Sequence, residues 1–278
     1  MIKIKELTFG YKKNQPIFSD LNLSLNAGSV CGFLGKNGAG KTTLLKQICG
    51  LTFPQKGNCL VLGYNPKDRN PEFLEKIFIV PEEFEMPSMS ICSYEKLYSP
   101  FYKNFDHNQF DQFLKDFEVD KNNKIQNLSF GQKKKIMLSF GIATNTPILI
   151  LDEPTNGLDI PSKSTFRKIV ASTINEERLI LISTHQVRDL DSLIDNVIIV
   201  HENKIAFNHS IEEITNKLCF KHIVGDSQET DIIFHDNSIF GVNAISKNTN
   251  NCDTRVDLEL LFGAVISNNN TIINHLKN

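Results

Sequence analysis

One run of nine residues limits the possible folds of this chain more than any other: Gly35-Lys36-Asn37-Gly38-Ala39-Gly40-Lys41-Thr42-Thr43. It matches GxxxxGK[ST], a loop that holds a row of phosphates. Closely spaced negative charges need several donors converging on them. Small residues at 35, 38 and 40 let the backbone curl and aim N–H groups inward. Asn37 to Thr43 supply those groups, and the helix that must follow adds its N-terminal dipole. Lys41 is then a point charge for the outer phosphates, and the Thr42 hydroxyl a ligand for Mg²⁺. The motif works only between a strand and a helix. Val30 to Leu34 is a short apolar strand run, and Leu44, Leu45 and Ile48 carry helical spacing to a stop near Gly50.

The same strand grammar recurs. Ile77–Val80, Ile148–Leu151, Leu179–Ser183 and Val197–Val200 are short apolar runs separated by helical segments. That rhythm predicts βα crossovers and a mainly parallel α/β sheet. Upstream, Ile2, Ile4 and Leu7, then Leu21, Leu23 and Leu25, alternate as strands do, which predicts an antiparallel β subdomain at the N-terminus. Between about 84 and 145 Phe, Tyr and Lys are frequent. Phe110, Phe113, Leu114 and Phe117 lie at i, i+3, i+4 and i+7, the apolar face of an inserted helical subdomain. After about residue 210 Asn becomes frequent and the rhythm stops. A small extension over 211–278 is expected there, with Asp257 to Phe262 as a helical turn or more.

Ile148-Leu149-Ile150-Leu151-Asp152-Glu153 is an apolar strand ending in two acids. Beside a phosphate loop this reads as a Walker B strand. Asp152 is placed to hold Mg²⁺ and Glu153 to polarise the attacking water. Leu128-Ser129-Phe130-Gly131-Gln132 opens another helix, for which Ser129 alone would be an ordinary N-cap. The adjoining lysines 133 to 135 read as a solvated helix face.

The order of these motifs resembles one family. Phosphate loop, a run similar to LSGGQ, Walker B, Pro154-Thr155-Asn156-Gly157-Leu158-Asp159, then Ser183-Thr184-His185 is the order found in ABC ATPases. The resemblance spans about residues 1–210 and implies a P-loop NTPase core that binds and hydrolyses ATP with Mg²⁺. It implies that His185 contacts the γ-phosphate and positions the water, and that Tyr11 stacks on adenine. Ser129, Gly131, Gln132 and Asp159 would serve the nucleotide at the interface with a second ATPase subunit, in a homodimer or heterodimer. Glu82 falls where the family has a glutamine that meets Mg²⁺. Two departures stand out. Phe130 replaces one glycine of the Gly-Gly pair, where a side chain should bar left-handed backbone, and Glu82 adds negative charge near the γ-phosphate.

Composition bears on the partners. A formal net charge of -2 gives no prior for nucleic acid or an acidic membrane surface. No apolar run reaches the roughly 18 residues that span a bilayer, and no signal peptide opens the chain. The six cysteines form no CxxC pair and are expected to be reduced thiols. The resemblance therefore implies a cytoplasmic subunit held at the membrane's cytoplasmic face by a transmembrane permease on another chain, with export-type transport. A rival within the same family is a soluble ATPase serving assembly, such as iron–sulfur cluster biogenesis, or acting on nucleic acid. The motifs do not exclude the assembly role, whereas the sustained heptads common in the nucleic-acid group are missing and no direct contact with nucleic acid is expected.

Overall fold

The computed structural model describes residues 1–12, 15–224, 232–238, 241–249, 252 and 254–277. Three sheets organise it. β1 (Ile2–Phe9), β2 (Phe18–Leu25) and β4 (Lys56–Val61) form an antiparallel sheet in the order β2-β1-β4. Residues 2, 4, 21, 23 and 25 point inward, as the alternation predicts, and a register shift between Ile4 and Leu7 brings Leu7 inward as well. β3 (Ser29–Leu34) leads into α1 (Lys41–Ile48). After the short α2 (Pro71–Leu74) the chain enters β5 (Ile77–Val80). It then leaves the sheet for α3 (Ile91–Tyr98), α4 (His107–Asp116) and α5 (Phe130–Ala143). β6 (Ile148–Asp152), α6 (Ile160–Ser172), β7 (Leu179–Thr184), β8 (Asn196–His201) and β9 (Lys204–Ser210) complete a six-stranded sheet in the order β5-β6-β7-β3-β8-β9. All its neighbours are parallel except β8 and β9.

The central strands are buried on both faces, which is why they read as continuous apolar runs rather than alternating ones. Ile148, Ile150, Leu179, Leu181 and Phe33 pack toward α1 and the N-terminal sheet. Leu149, Leu151, Ile180, Ile182 and Leu34 pack toward α3 to α6. Crossovers between parallel strands leave loops at the carboxyl ends of β3, β6 and β7, and a ligand site in an open α/β sheet forms there.

One expectation changes, at Lys134, while the extension after 210, to which the sequence assigns no particular fold, is built of two helices and a three-stranded sheet among its described residues. α7 (Ile211–Lys217) is followed by β10 (Leu218–Ile223), β11 (Ile232–Ser238) and β12 (Gly241–Lys247), an antiparallel sheet in the order β10-β12-β11. The turn expected over Asp257 to Phe262 is the start of α8 (Leu258–Lys277), with the Asp257 carboxylate accepting from Leu260 N–H. Leu258, Leu261, Val265, Ile272 and Leu276 share its buried stripe and join the same apolar core as the helical subdomain. Lys134, expected in solvent, is fully buried. Successive residues of a helix are about 100° apart, so three lysines in a row cannot all face water once α5 is packed. Cys31, Cys49, Cys59, Cys92 and Cys219 are reduced thiols, as expected. No helix among the described residues is long and apolar enough to cross a membrane.

Candidate functional site

Local chemistry forces the phosphate loop into a cup. Gly40 caps α1 at φ 98°, and a Cβ there would meet Ile17 and Phe18 at 2.7 Å, so glycine is required on both counts. Gly38, at φ 81°, faces open space. A cleft of about 400 Å³ results, lined by Asn37 to Thr43 together with Glu82, Glu153 and His185. Loops that are distant in sequence thus supply one site, as the motif order implies. Ile17 also lines it, from the turn before β2. Sequence reading missed this residue, and no local signal marked it.

The charged groups in the cleft hold one another in place. Lys41 Nζ donates to the carbonyl oxygens of Gly35 at 2.7 Å and Lys36 at 3.4 Å. It also lies 4.0 Å from Glu153 Oε1. Burial pulls the ammonium below its ordinary pKa, while the carboxylates of Glu153, Asp152 and Glu82 push it back up. Thr42 donates to Asp152 Oδ1 at 3.1 Å, so the hydroxyl and carboxylate read as Mg²⁺ ligands are already adjacent. A hard dication suits such oxygen donors, and these residues fit Mg²⁺.

Glu153 is the most constrained residue of the site. It sits at φ 46°, a conformation uncommon for anything but glycine, Asn or Asp. Its N–H donates to both the carbonyl and the hydroxyl oxygen of Ser183, each at 3.1 Å. Ser183 also donates to Asp152 Oδ1. This serine positions both acids. Sequence reading placed it beside His185 without a role, and the polar end of an otherwise apolar β7 was the available signal. His185 Nδ1 lies 2.8 Å from Glu153 Oε1, and its N–H donates to the carboxylate. Glu153 Oε2 is buried and has no partner among the described residues. A buried carboxylate oxygen left bare is costly unless a ligand completes it.

The remaining predicted residues lie outside the cleft. Tyr11 is 60% exposed, its ring edge-on to Phe9 and its hydroxyl 3.5 Å from Thr43 Oγ1. Ser129 caps α5 in a reciprocal box with Gln132. Gly131 packs against the next loop, where a Cβ would come within 2.7 Å of the Gly157 carbonyl. Asp159 caps α6 by accepting from Ser162 N–H at 2.8 Å, and hydrogen bonds from the Ser162 hydroxyl and then its N–H hold the carboxyl below the usual range. Phe130 begins α5 without positive φ, so the expected backbone conflict does not arise. Its ring instead packs on Phe84, with centroids 5.6 Å apart. The carboxylate of Glu82 accepts from Asn156 Nδ2 at 2.9 Å.

Comparison with known proteins bears on the family and the fold. Residues 18–156 match the family model described as ABC transporter. An ABC transporter ATP-binding protein of Methanocaldococcus jannaschii is 31% identical over 227 residues, covering 79% of this chain and 81% of that one. The bacitracin transport ATP-binding protein BcrA of Bacillus licheniformis is 30% identical over 220 residues, covering 75% and 71%. Among solved structures, one described as an ATP binding subunit of an ABC transporter superposes with TM-score 0.70 at 23% identity, covering 77% of this chain and 91% of that one. On its motifs, its fold and these relatives, the chain belongs to the ABC transporter family.

Proposed function

We propose that this ATP-binding, ATP-hydrolysing subunit powers transport through a membrane-spanning permease carried on another chain, working as a dimer of such subunits. The observation that carries the hydrolytic part is the bare Oε2 of Glu153 inside a glycine-walled cleft, beside Lys41 and His185. Lys41 and the N–H groups of Gly38 to Thr43 bind the phosphates. His185 holds one carboxylate oxygen of Glu153, leaving the other to accept a hydrogen bond from the attacking water. That orientation favours in-line attack on the γ-phosphorus, and positioning supplies most of the catalysis in phosphoryl transfer. Thr42, Asp152 and Glu82 are the residues that would hold Mg²⁺, which when bound neutralises charge on the phosphates. Tyr11 offers an open ring face for adenine.

In the dimer, Ser129 and the N-terminus of α5 face the nucleotide held by the other subunit. ATP then contacts both subunits only in the closed form, and so shifts the equilibrium toward closure. Hydrolysis removes that preference. The permease side is favoured by an apolar surface where the helical subdomain meets the core. Leu51 and Phe101 are each more than half exposed there, at two clefts that share Leu74 and Tyr102. Exposed apolar groups clustered beside a groove fit a docking helix. Such a partner would hold the subunit at the cytoplasmic face of the membrane.

Affinity purification of the tagged chain from mildly solubilised membranes, followed by mass spectrometry, tests this. Recovery of a polytopic membrane protein in near-equal amount is expected, and it should be lost on replacing Leu51 and Phe101 by Asp. Recovery of soluble partners alone would move the ATPase to a role in assembly.

A further inference from the structure

Lys134 is a cation in a place that disfavours cations twice over. It is fully buried, and it sits in the second turn of α5, near the positive end of that helix's dipole. What compensates is specific. Nζ donates to the carbonyl oxygens of Pro81 at 3.0 Å and Glu82 at 3.3 Å. It also lies 5.5 Å from the centroid of the Phe84 ring, within cation–π range. The opposite side of this junction is Phe130, whose ring packs on Phe84. The loop over 81–84 is thus fastened to the first two turns of α5 at the backbone and at a side chain. Its acid is fastened separately, to Asn156 in the loop after β6. Any aliphatic residue could fill the space of a buried lysine, but only a donor reaches two loop carbonyls.

We propose that Lys134 is a positioning residue for ATP hydrolysis, tying the Glu82 loop to the helix that follows Ser129 so that both travel as one body when the nucleotide site closes. Lys134 is not among the residues that line the cleft. It acts through the loop: with the two carbonyls held, the Glu82 side chain keeps one approach to the phosphates. Phe130 belongs to the same device, its ring gripping the loop where a glycine could not. The inference rests on the hydrolytic reading of the Glu153 site.

A double-mutant cycle on the full chain tests it, with nucleotide affinity, steady-state turnover and melting temperature read for each protein. Lys134→Met keeps the volume and removes the donor. ATP affinity should stay within about twofold while kcat falls about tenfold, the scale of losing hydrogen bonds from a charged donor. In a Glu82→Ala background the same change should cost less than about twofold, because a residue acting through Glu82 has nothing left to position. Losses that multiply in the double mutant, or an unchanged kcat in Lys134→Met, overturn the proposal. If wild-type protein itself does not hydrolyse ATP, it is the Glu153 reading that has failed. Should Lys134→Met not fold, Lys134→Leu, which likewise removes the donor, is carried through the same cycle against the same expectations.

Discussion

The cleft and the signature end, the LSGGQ-like run that opens α5 with the nearby cap of α6, handle their polar groups in opposite ways. In the cleft, donors and acceptors are assembled and then left short of partners: Glu153 Oε2 is bare, and Lys41 is held mainly by carbonyls of its own loop. At the signature end every named group is satisfied inside the chain. Ser129 and Gln132 close a capping box, Lys134 holds two carbonyls, and Asp159 caps the next helix. Orphaned groups raise the energy of the free protein and are relieved by ligand. Satisfied groups give rigidity instead. On the proposed function, the difference separates the part that meets the reacting phosphate from the part that carries motion to and from it.

The sharpest break of this comparison is Glu153→Gln. The amide keeps the size and the hydrogen bond to His185 yet cannot act as base. Turnover should fall by about 10² to 10⁴, the range for losing a general base. ATP should still bind, and a long-lived dimer should accumulate in ATP, measured by size-exclusion chromatography. Wild-type turnover in this variant would remove Glu153 from the chemistry. A smaller effect is expected for Ser183→Ala, which strips a hydrogen bond from Asp152 and from the Glu153 N–H while leaving both acids in place. Losing one or two such bonds is worth roughly 1–3 kcal/mol, so kcat should drop about tenfold with little change in melting temperature. A variant that loses ATP binding in step with kcat would mark Ser183 as part of the fold rather than as support for the acids.

How much of this could be read from the chain follows the same division. The cleft was legible because phosphate chemistry dictates residue types at fixed spacing. Glycine at 40 is demanded by φ 98° and by Phe18, and Asp152-Glu153 must end a buried strand. Ser183 escaped because one hydroxyl at a strand end is common, and only the fold brings it against Asp152. At the signature end the lysine run hid Lys134, since like charges in sequence suggest solvent. Its spacing held the correction: residues 134, 138 and 141 share a face, and Leu138 is fully buried. The C-terminal unit was obscured by composition. Asn268, Asn269 and Asn270 are poor helix formers. Yet α8 continues through them, because Leu261 and Val265 before them and Ile272 and Leu276 after them are buried on one stripe. Tertiary packing outweighs propensity there.

The last and smallest effect decides whether the satisfied end also meets a nucleotide. Ser129→Ala removes the cap and should cost about 1 kcal/mol of stability, read as a lower urea midpoint at constant slope. That result alone cannot separate a cap from a phosphate contact, because both lose the same hydroxyl. Ser129→Asp does separate them. Aspartate is as good a cap as serine and suits the positive end of α5, so stability should hold to within about 0.5 kcal/mol. If the partner subunit's nucleotide faces this helix, the added carboxylate stands against its γ-phosphate, and turnover should fall several-fold with the fold intact. The loss should be relieved in part at high salt to the extent that the site is open to solvent. Turnover equal to wild type in Ser129→Asp would make the signature end a structural joint alone. The second subunit would then have to reach the nucleotide by other residues.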